Sequence, residues 1–191
     1  METKNILLIG VGGQGIILTS KILAAGLMQL GYDVKMSEIH GMSQRGGSVT
    51  TQIRYGARVN APNIGRGEAD IVVAFEKAEA IRALPYLKKG GVMVTDEREI
   101  VPVSVVMGGA DYPRGAIQDM VDAGVTVKVI PASVKAEALG NMRAQNICLL
   151  GALVKSLGIE NVDWPTLVAD MVPAKARDLN VAAFQAGWDM I

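Results

Sequence analysis

Ile6, Leu7, Leu8 and Ile9 form an unbroken apolar run bounded by glycine, the pattern of a strand buried on both faces of a parallel sheet. After Gly15 the spacing changes. Ile16, Ile17, Leu18, Ile22, Leu23 and Leu27 recur at intervals close to 3.6, which predicts a helix with Gly31 as its C-cap. Asp33 to Ile39, with Val34 and Met36 on one face, predicts a second strand. Ser48 to Tyr55 alternates, with Val49, Thr51, Ile53 and Tyr55 facing one way. Gly56-Ala57 is expected to turn this strand back through Arg58-Val59-Asn60 as a hairpin, so a purely parallel sheet is not expected.

Asp70 to Phe75, Val92 to Thr95, Val103 to Met107 and Val125 to Ile130 read as further strands. Glu76 to Leu84 favours helix until Pro85, which opens a further short turn that Gly90-Gly91 stops. A short helix is expected over Pro113 to Ala123, stopped by Gly124. The C-terminal part, about residues 135–191, changes character. Lys135 to Leu157 carries helical spacing with a break at Gly140-Asn141, and Trp164 to Val172 and Val181 to Met190 read as two more amphipathic helices. Strands alternating with helices predict a three-layer α/β/α sandwich: a mostly parallel, Rossmann-like sheet with an antiparallel hairpin and C-terminal helices. No polar linker divides the halves, so residues 1–191 are expected to form a single domain.

Composition removes several functions. Nineteen basic residues balance nineteen acidic ones, so no net field draws the chain to nucleic acid or anionic lipid. Aromatics are 4%, too few for base-stacking platforms. No apolar run is long enough to span a membrane and no signal-peptide pattern opens the chain, so a soluble, cytoplasmic protein without nucleic-acid or membrane partners is expected. The single cysteine, Cys148, cannot hold an iron–sulfur cluster, which needs several thiolates. It lies in an apolar helical run and reads as a buried, inert thiol.

Candidate chemistry lies in two glycine-rich stretches. Gly10-Val11-Gly12-Gly13-Gln14-Gly15 fits the dinucleotide pattern G-x-G-x-x-G between a strand and a helix. Glu38 follows Gly15 by about 23 residues, near the spacing of a ribose-binding acid. Three readings stand: an NAD or FAD site, a tight strand-to-helix turn, or an approach to a partner subunit. The second stretch, His40, Gly41, Met42, Ser43, Gln44, Arg45, Gly46 and Gly47, offers the Arg45 guanidinium beside glycine amides as a nest for phosphate or carboxylate; its bland alternative is a solvated surface loop. His40 is the only histidine, so neither a multi-histidine metal site nor a second general base is available. Glu76, at the carboxyl end of an apolar strand, either faces a ligand region or compensates a helix N-terminus.

The glycine loop together with S-E-I-H-G-M-S-Q-R-G-G-S-V at Ser37 to Val49 resembles the gamma-type component of the 2-oxoacid:ferredoxin oxidoreductases, and within them the indolepyruvate branch. G-E-A-D-I-V-V-A-F-E at Gly67 to Glu76, Leu84-Pro85-Tyr86-Leu87-Lys88, and L-G-N-M-R-A-Q-N at Leu139 to Asn146 extend the resemblance over about three quarters of the chain. Ser43 stands where alanine is common in the family. The resemblance implies a non-catalytic, accessory subunit that binds no cofactor or metal alone and is inactive in isolation. The complex would convert a 2-oxoacid, in this branch an arylpyruvate, to acyl-CoA, carbon dioxide and reduced ferredoxin. A large partner subunit would carry the thiamine diphosphate and the 4Fe-4S clusters. Gly12, Gly13, Gln14 and Gly15, with Glu38 and His40 to Gly47, would then meet that subunit or the pyrophosphate of coenzyme A. The alternative from the glycine pattern is a stand-alone NAD- or FAD-binding oxidoreductase or sensor.

Overall fold

The structure is a computed structural model that describes residues 2–40 and 47–191, the His40 side chain excepted. Among the described residues, six strands form one mixed sheet in the order β2-β3-β1-β4-β5-β6. The strands are β1 (Lys4–Val11), β2 (Asp33–His40), β3 (Ser48–Gly56), β4 (Ala69–Ala74), β5 (Leu87–Thr95) and β6 (Thr126–Val129). β1, β4, β5 and β6 are parallel neighbours, whereas β3 is antiparallel to both β1 and β2. β3 therefore occupies the place beside β1 that the second strand takes in a dinucleotide-binding sheet.

The antiparallel hairpin joins β2 to β3 across residues 41–47, and the predicted return strand over Arg58 to Asn60 does not form. Both edges of β3 are already paired, so no edge remains for it. The backbone there is held by side chains instead. Val59 N–H donates to Asp33 Oδ2 at 2.8 Å, Ile64 N–H donates to Gln52 Oε1 at 2.7 Å, and Arg54 Nη1 donates to the Ala61 and Asn63 carbonyls. The strand predicted over Val103 to Met107 is likewise a correction. It is a helical turn, α3 (Val103–Val106), opened by Pro102. β6, not this apolar run, pairs with the edge of β5, and the run stays outside the sheet with Val103 and Val106 72% exposed. β5 starts at Leu87 and carries Gly90-Gly91 within it, where its register with β4 shifts.

Period-two alternation sorts β1 between two cores. Ile6 and Leu8 pack on one face with Ile53, Ile71, Val73 and Val94 beneath α1 (Ile16–Gln29), α6 (Gln145–Leu157), α7 (Trp164–Met171) and α8 (Arg177–Trp188). Leu7 and Ile9 pack on the other with Val72, Ala74 and Met93 beneath α2 (Lys77–Ala83) and α4 (Ala116–Asp122), which begins three residues later than the sequence predicts. This is the three-layer α/β/α arrangement. α5 (Ala132–Ala138) and a 3-10 turn, Met142–Ala144, replace the start of the predicted long C-terminal helix, with the break at Gly140-Asn141. α6 and α8 cross without room for a side chain: a Cβ at Gly187 would overlap the Cys148 carbonyl, and one at Gly151 the Phe184 carbonyl.

Candidate functional site

The carboxyl end of β1 opens into the glycine turn because Gly13 and Gly15 adopt φ of 99° and 79°, a left-handed conformation costly for other residues. Gly15 is the N-cap of α1 and offers no side-chain acceptor, and no acidic residue stands in the first turn. The positive end of a 14-residue helix is thus left uncompensated by its own turn. Gly10 is required for packing: a Cβ there would lie 2.8 Å from both Gln14 Oε1 and the Phe75 Cβ. Gly15 is pressed by Asn146, whose Nδ2 donates to the Gly15 carbonyl at 3.2 Å.

Gln14 folds back over the strand ends. Its Oε1 accepts from Val11 N–H at 2.7 Å and its Nε2 donates to the Phe75 carbonyl at 2.8 Å. Gln145, at the start of α6, donates to the same Phe75 carbonyl at 2.7 Å and to Asp96 Oδ2 at 2.9 Å. Arg98 Nη1 donates to Gln145 Oε1 at 2.8 Å. Asp96 is fully buried and also accepts from Ser133 N–H and Oγ and from Arg98 N–H. Burial pushes its carboxyl up despite these donors.

Above this network lies a cleft of about 350 Å³, lined by Val11, Gly12, Gly13, Gln14, Arg98, Ile100, Met142, Arg143 and Gln145. Two guanidinium groups and the glycine turn give it the character of an anion site. Arg98, Arg143 and Gln145 were not singled out from sequence. For Arg143 and Gln145 the sequence signal is the Leu139 to Asn146 stretch, which supplies Met142, Arg143, Gln145 and Asn146 to this end of the sheet; Arg98 has none.

The two glycine-rich stretches meet at their bases. Gly12 N–H donates to the Gly47 carbonyl at 2.8 Å, and Val11 pairs with Ser48. Ser48 Oγ donates to Glu79 Oε2 at 2.6 Å, and Arg82 Nη1 bonds Glu79 Oε1 at 2.7 Å. Gly41, Met42, Ser43, Gln44, Arg45 and Gly46 lie outside the described residues. The backbone of His40 ends β2 opposite Val49.

Glu38 is not brought to the glycine turn. It pairs with Thr51 of β3, and Thr51 pairs with Leu8, so two interstrand spacings, about 10 Å, separate it from β1. The inserted strand thus takes away the ribose-binding acid that the spacing suggested. Glu76 proves to be a helix cap and not a ligand-facing group: it is 1% exposed, accepts from Glu79 N–H and Ile100 N–H at 3.0 Å each, and takes the Tyr112 hydroxyl. Burial, and then the Glu76 carboxylate, push the Tyr112 phenol up. Cys148 is fully buried, and burial pushes its thiol up to about 12, far from a nucleophile. Among the described residues no group of three or more His, Cys, Asp or Glu is arranged to hold a metal ion, and no helix is long and apolar enough to cross a membrane.

Sheet order and cleft together define a Rossmann-like α/β unit in which an antiparallel strand has displaced the nucleotide geometry and left an arginine-lined notch. The model of the pyruvate ferredoxin/flavodoxin oxidoreductase family matches residues 5–190, and the chain belongs to that family. It is 38% identical over 98% of its length to indolepyruvate oxidoreductase subunit IorB of Thermococcus kodakarensis, covering 95% of that protein. It is 39% identical, with the same coverage, to the subunit of that name from Pyrococcus horikoshii. Among solved structures it is similar to the gamma subunit of a keto/oxoacid ferredoxin oxidoreductase from Geobacter sulfurreducens, with a TM-score of 0.71, 24% identity and coverage of 98% and 97% of the two chains. It also matches 31% of a chain of the 2-oxoglutarate:ferredoxin oxidoreductase from Magnetococcus marinus, over its own full length, with a TM-score of 0.76 and 23% identity.

Proposed function

We propose that this chain is the accessory, non-catalytic subunit of a cytoplasmic 2-oxoacid:ferredoxin oxidoreductase, with indolepyruvate or a related arylpyruvate as the 2-oxoacid. The observation that carries the reading is the end-to-end likeness to indolepyruvate oxidoreductase subunits at 37–39% identity, against 27–29% for the 2-oxoglutarate synthase subunits KorC. Residues 1–191 act as one gamma-type domain. The complex converts 2-oxoacid, coenzyme A and oxidised ferredoxin to acyl-CoA, carbon dioxide and reduced ferredoxin.

The large partner subunit holds the thiamine diphosphate and the 4Fe-4S clusters. The residues of this chain do not fit a cluster, since the one cysteine is buried in α6. Thiamine supplies the carbanion sink and the clusters accept single electrons. What this chain offers is binding. Arg98, Arg143 and the uncompensated start of α1 suit the pyrophosphate of coenzyme A, and His40 to Gly47 meets the large subunit beside it.

Co-expression with the large subunit tests the reading. The isolated chain should be colourless and inactive with indolepyruvate, coenzyme A and ferredoxin; adding the partner should yield a brown complex with activity. Turnover by the isolated chain defeats the proposal.

A further inference from the structure

We infer that Gln145 is the positioning residue of the cleft, holding the Arg98 guanidinium where an anion can reach it; this rests on the coenzyme A reading above. Gln145 is 2% exposed, and all four hydrogen-bonding positions of its amide are engaged. Its Nε2 donates to the Phe75 carbonyl and Asp96 Oδ2, at 2.7 and 2.9 Å. Its Oε1 accepts from Arg98 Nη1 at 2.8 Å and, more weakly, from Gln14 Nε2 at 3.5 Å. The two acceptors are ends of the sheet: Phe75 follows β4 and Asp96 follows β5. The two donors belong to the cleft wall. Gln145 therefore ties the rigid strand ends to the two polar side chains that face the ligand space.

Asp96 fixes the orientation of that amide. A carboxylate beside Nε2 forces the NH2 group inward, which turns Oε1 toward Arg98. Ser133 holds Asp96 from the far side, through N–H at 2.7 Å and Oγ at 3.1 Å. The Arg98 backbone is pinned as well, its N–H on Asp96 Oδ1 and its carbonyl receiving Lys77 N–H at 3.0 Å. Only one donor of the guanidinium is used by Gln145, so the rest of the planar fork is left for the cleft. An arginine anchored at one Nη presents its remaining donors without having to give up side-chain freedom when the ligand binds.

The test uses the complex assembled with its large subunit and reads KM for coenzyme A, kcat and thermal midpoint. Arg98→Ala and Gln145→Ala should each raise the coenzyme A KM about tenfold with kcat within about twofold, and the double variant should raise it no further than either single change. Asp163→Ala, which removes the N-cap of α7 and lies outside the cleft lining, should lower the thermal midpoint with KM unchanged. Gln145→Glu keeps an Oε1 for Arg98 but sets a carboxylate against Asp96 and the Phe75 carbonyl. It should lower the midpoint yet raise KM far less than alanine does, and it stands in if the alanine variant does not assemble. If Arg98→Ala raises KM and Gln145→Ala does not, or if the two effects multiply, the positioning role is wrong while the cleft reading survives. If Arg98→Ala leaves KM unchanged, the coenzyme A placement fails and the inference falls with it.

Discussion

The amide of Gly12 donates to the carbonyl of Gly47 over 2.8 Å, so the turn after β1 and the last residue of the β2–β3 connection are tied at one rim of the sheet. Two stretches about 35 residues apart in sequence share this rim because β3 runs back beside β1 in antiparallel register. On one side of the rim Met142, Arg143 and Gln145 line a cleft with the glycine turn.

The same antiparallel strand predicts that the chain does not bind dinucleotides. With Glu38 two strands away from the glycine turn, titration with NAD, NADP or FAD should show no saturable binding into the millimolar range. Micromolar binding by the isolated chain would return the stand-alone oxidoreductase to consideration.

Glu79 carries a pH signature. Burial raises its carboxyl above the ordinary 4.5, outweighing the lowering by Ser48 and Arg82, and the nearby Glu76 adds to the rise. A raised folded value means the native state holds the proton longer. The favourable contribution is full below 4.5 and is lost as pH climbs through the raised value. Denaturant melts of wild type and Glu79→Gln from about pH 4 to about pH 8 should show the wild type losing ground to the variant as pH increases. The opposite slope would mean that the Arg82 ion pair dominates.

Gly187→Ala should destabilise the α6–α8 crossing, because the added methyl meets the Cys148 carbonyl, backbone that cannot rotate away. Overpacking of this kind costs about 3 kcal/mol, which for a chain of this size lowers the thermal midpoint by about 6–12 °C. A midpoint within about 2 °C of wild type would show the helices lie farther apart than described.

Tyr112→Phe removes a hydroxyl bonded to the buried Glu76 carboxylate. Hydrogen bonds to charged groups contribute about 1.5–3 kcal/mol, and this one helps anchor the segment that carries Ile100 to the top of α2. Faster amide exchange at Ile100, with the α8 amides unchanged, is the expected result; uniform protection throughout would count against it.

Cys148, fully buried with its thiol pushed up to about 12, should resist a maleimide probe in the native protein and react once unfolded. Rapid native labelling would contradict the packing of α6.

Local pattern made the strand–turn–helix opening legible, because four consecutive apolar residues and a change of period to 3.6 are written in adjacent positions. The same holds for the alternation of β3, the two cores' helices and the inert cysteine. Val103 to Met107 misled for a physical reason: an apolar β-branched run becomes a strand only where it pairs with a sheet edge, and the place beside β5 is taken by β6. Glu38 misled likewise, since a spacing along the chain cannot say which strand lies next to β1. The H-G-M-S-Q-R-G-G stretch stood out from sequence, yet the cleft wall did not, because Arg98 lies about 45 positions from Arg143 and Gln145 and carries no pattern that points to them. Sequence by itself determined most of the elements and the family, through periodicities and motifs that act over a few residues. Only the tertiary structure decided strand order, and with it which polar side chains meet, because pairing of β-edges and convergence on one sheet end are long-range choices that no local window contains.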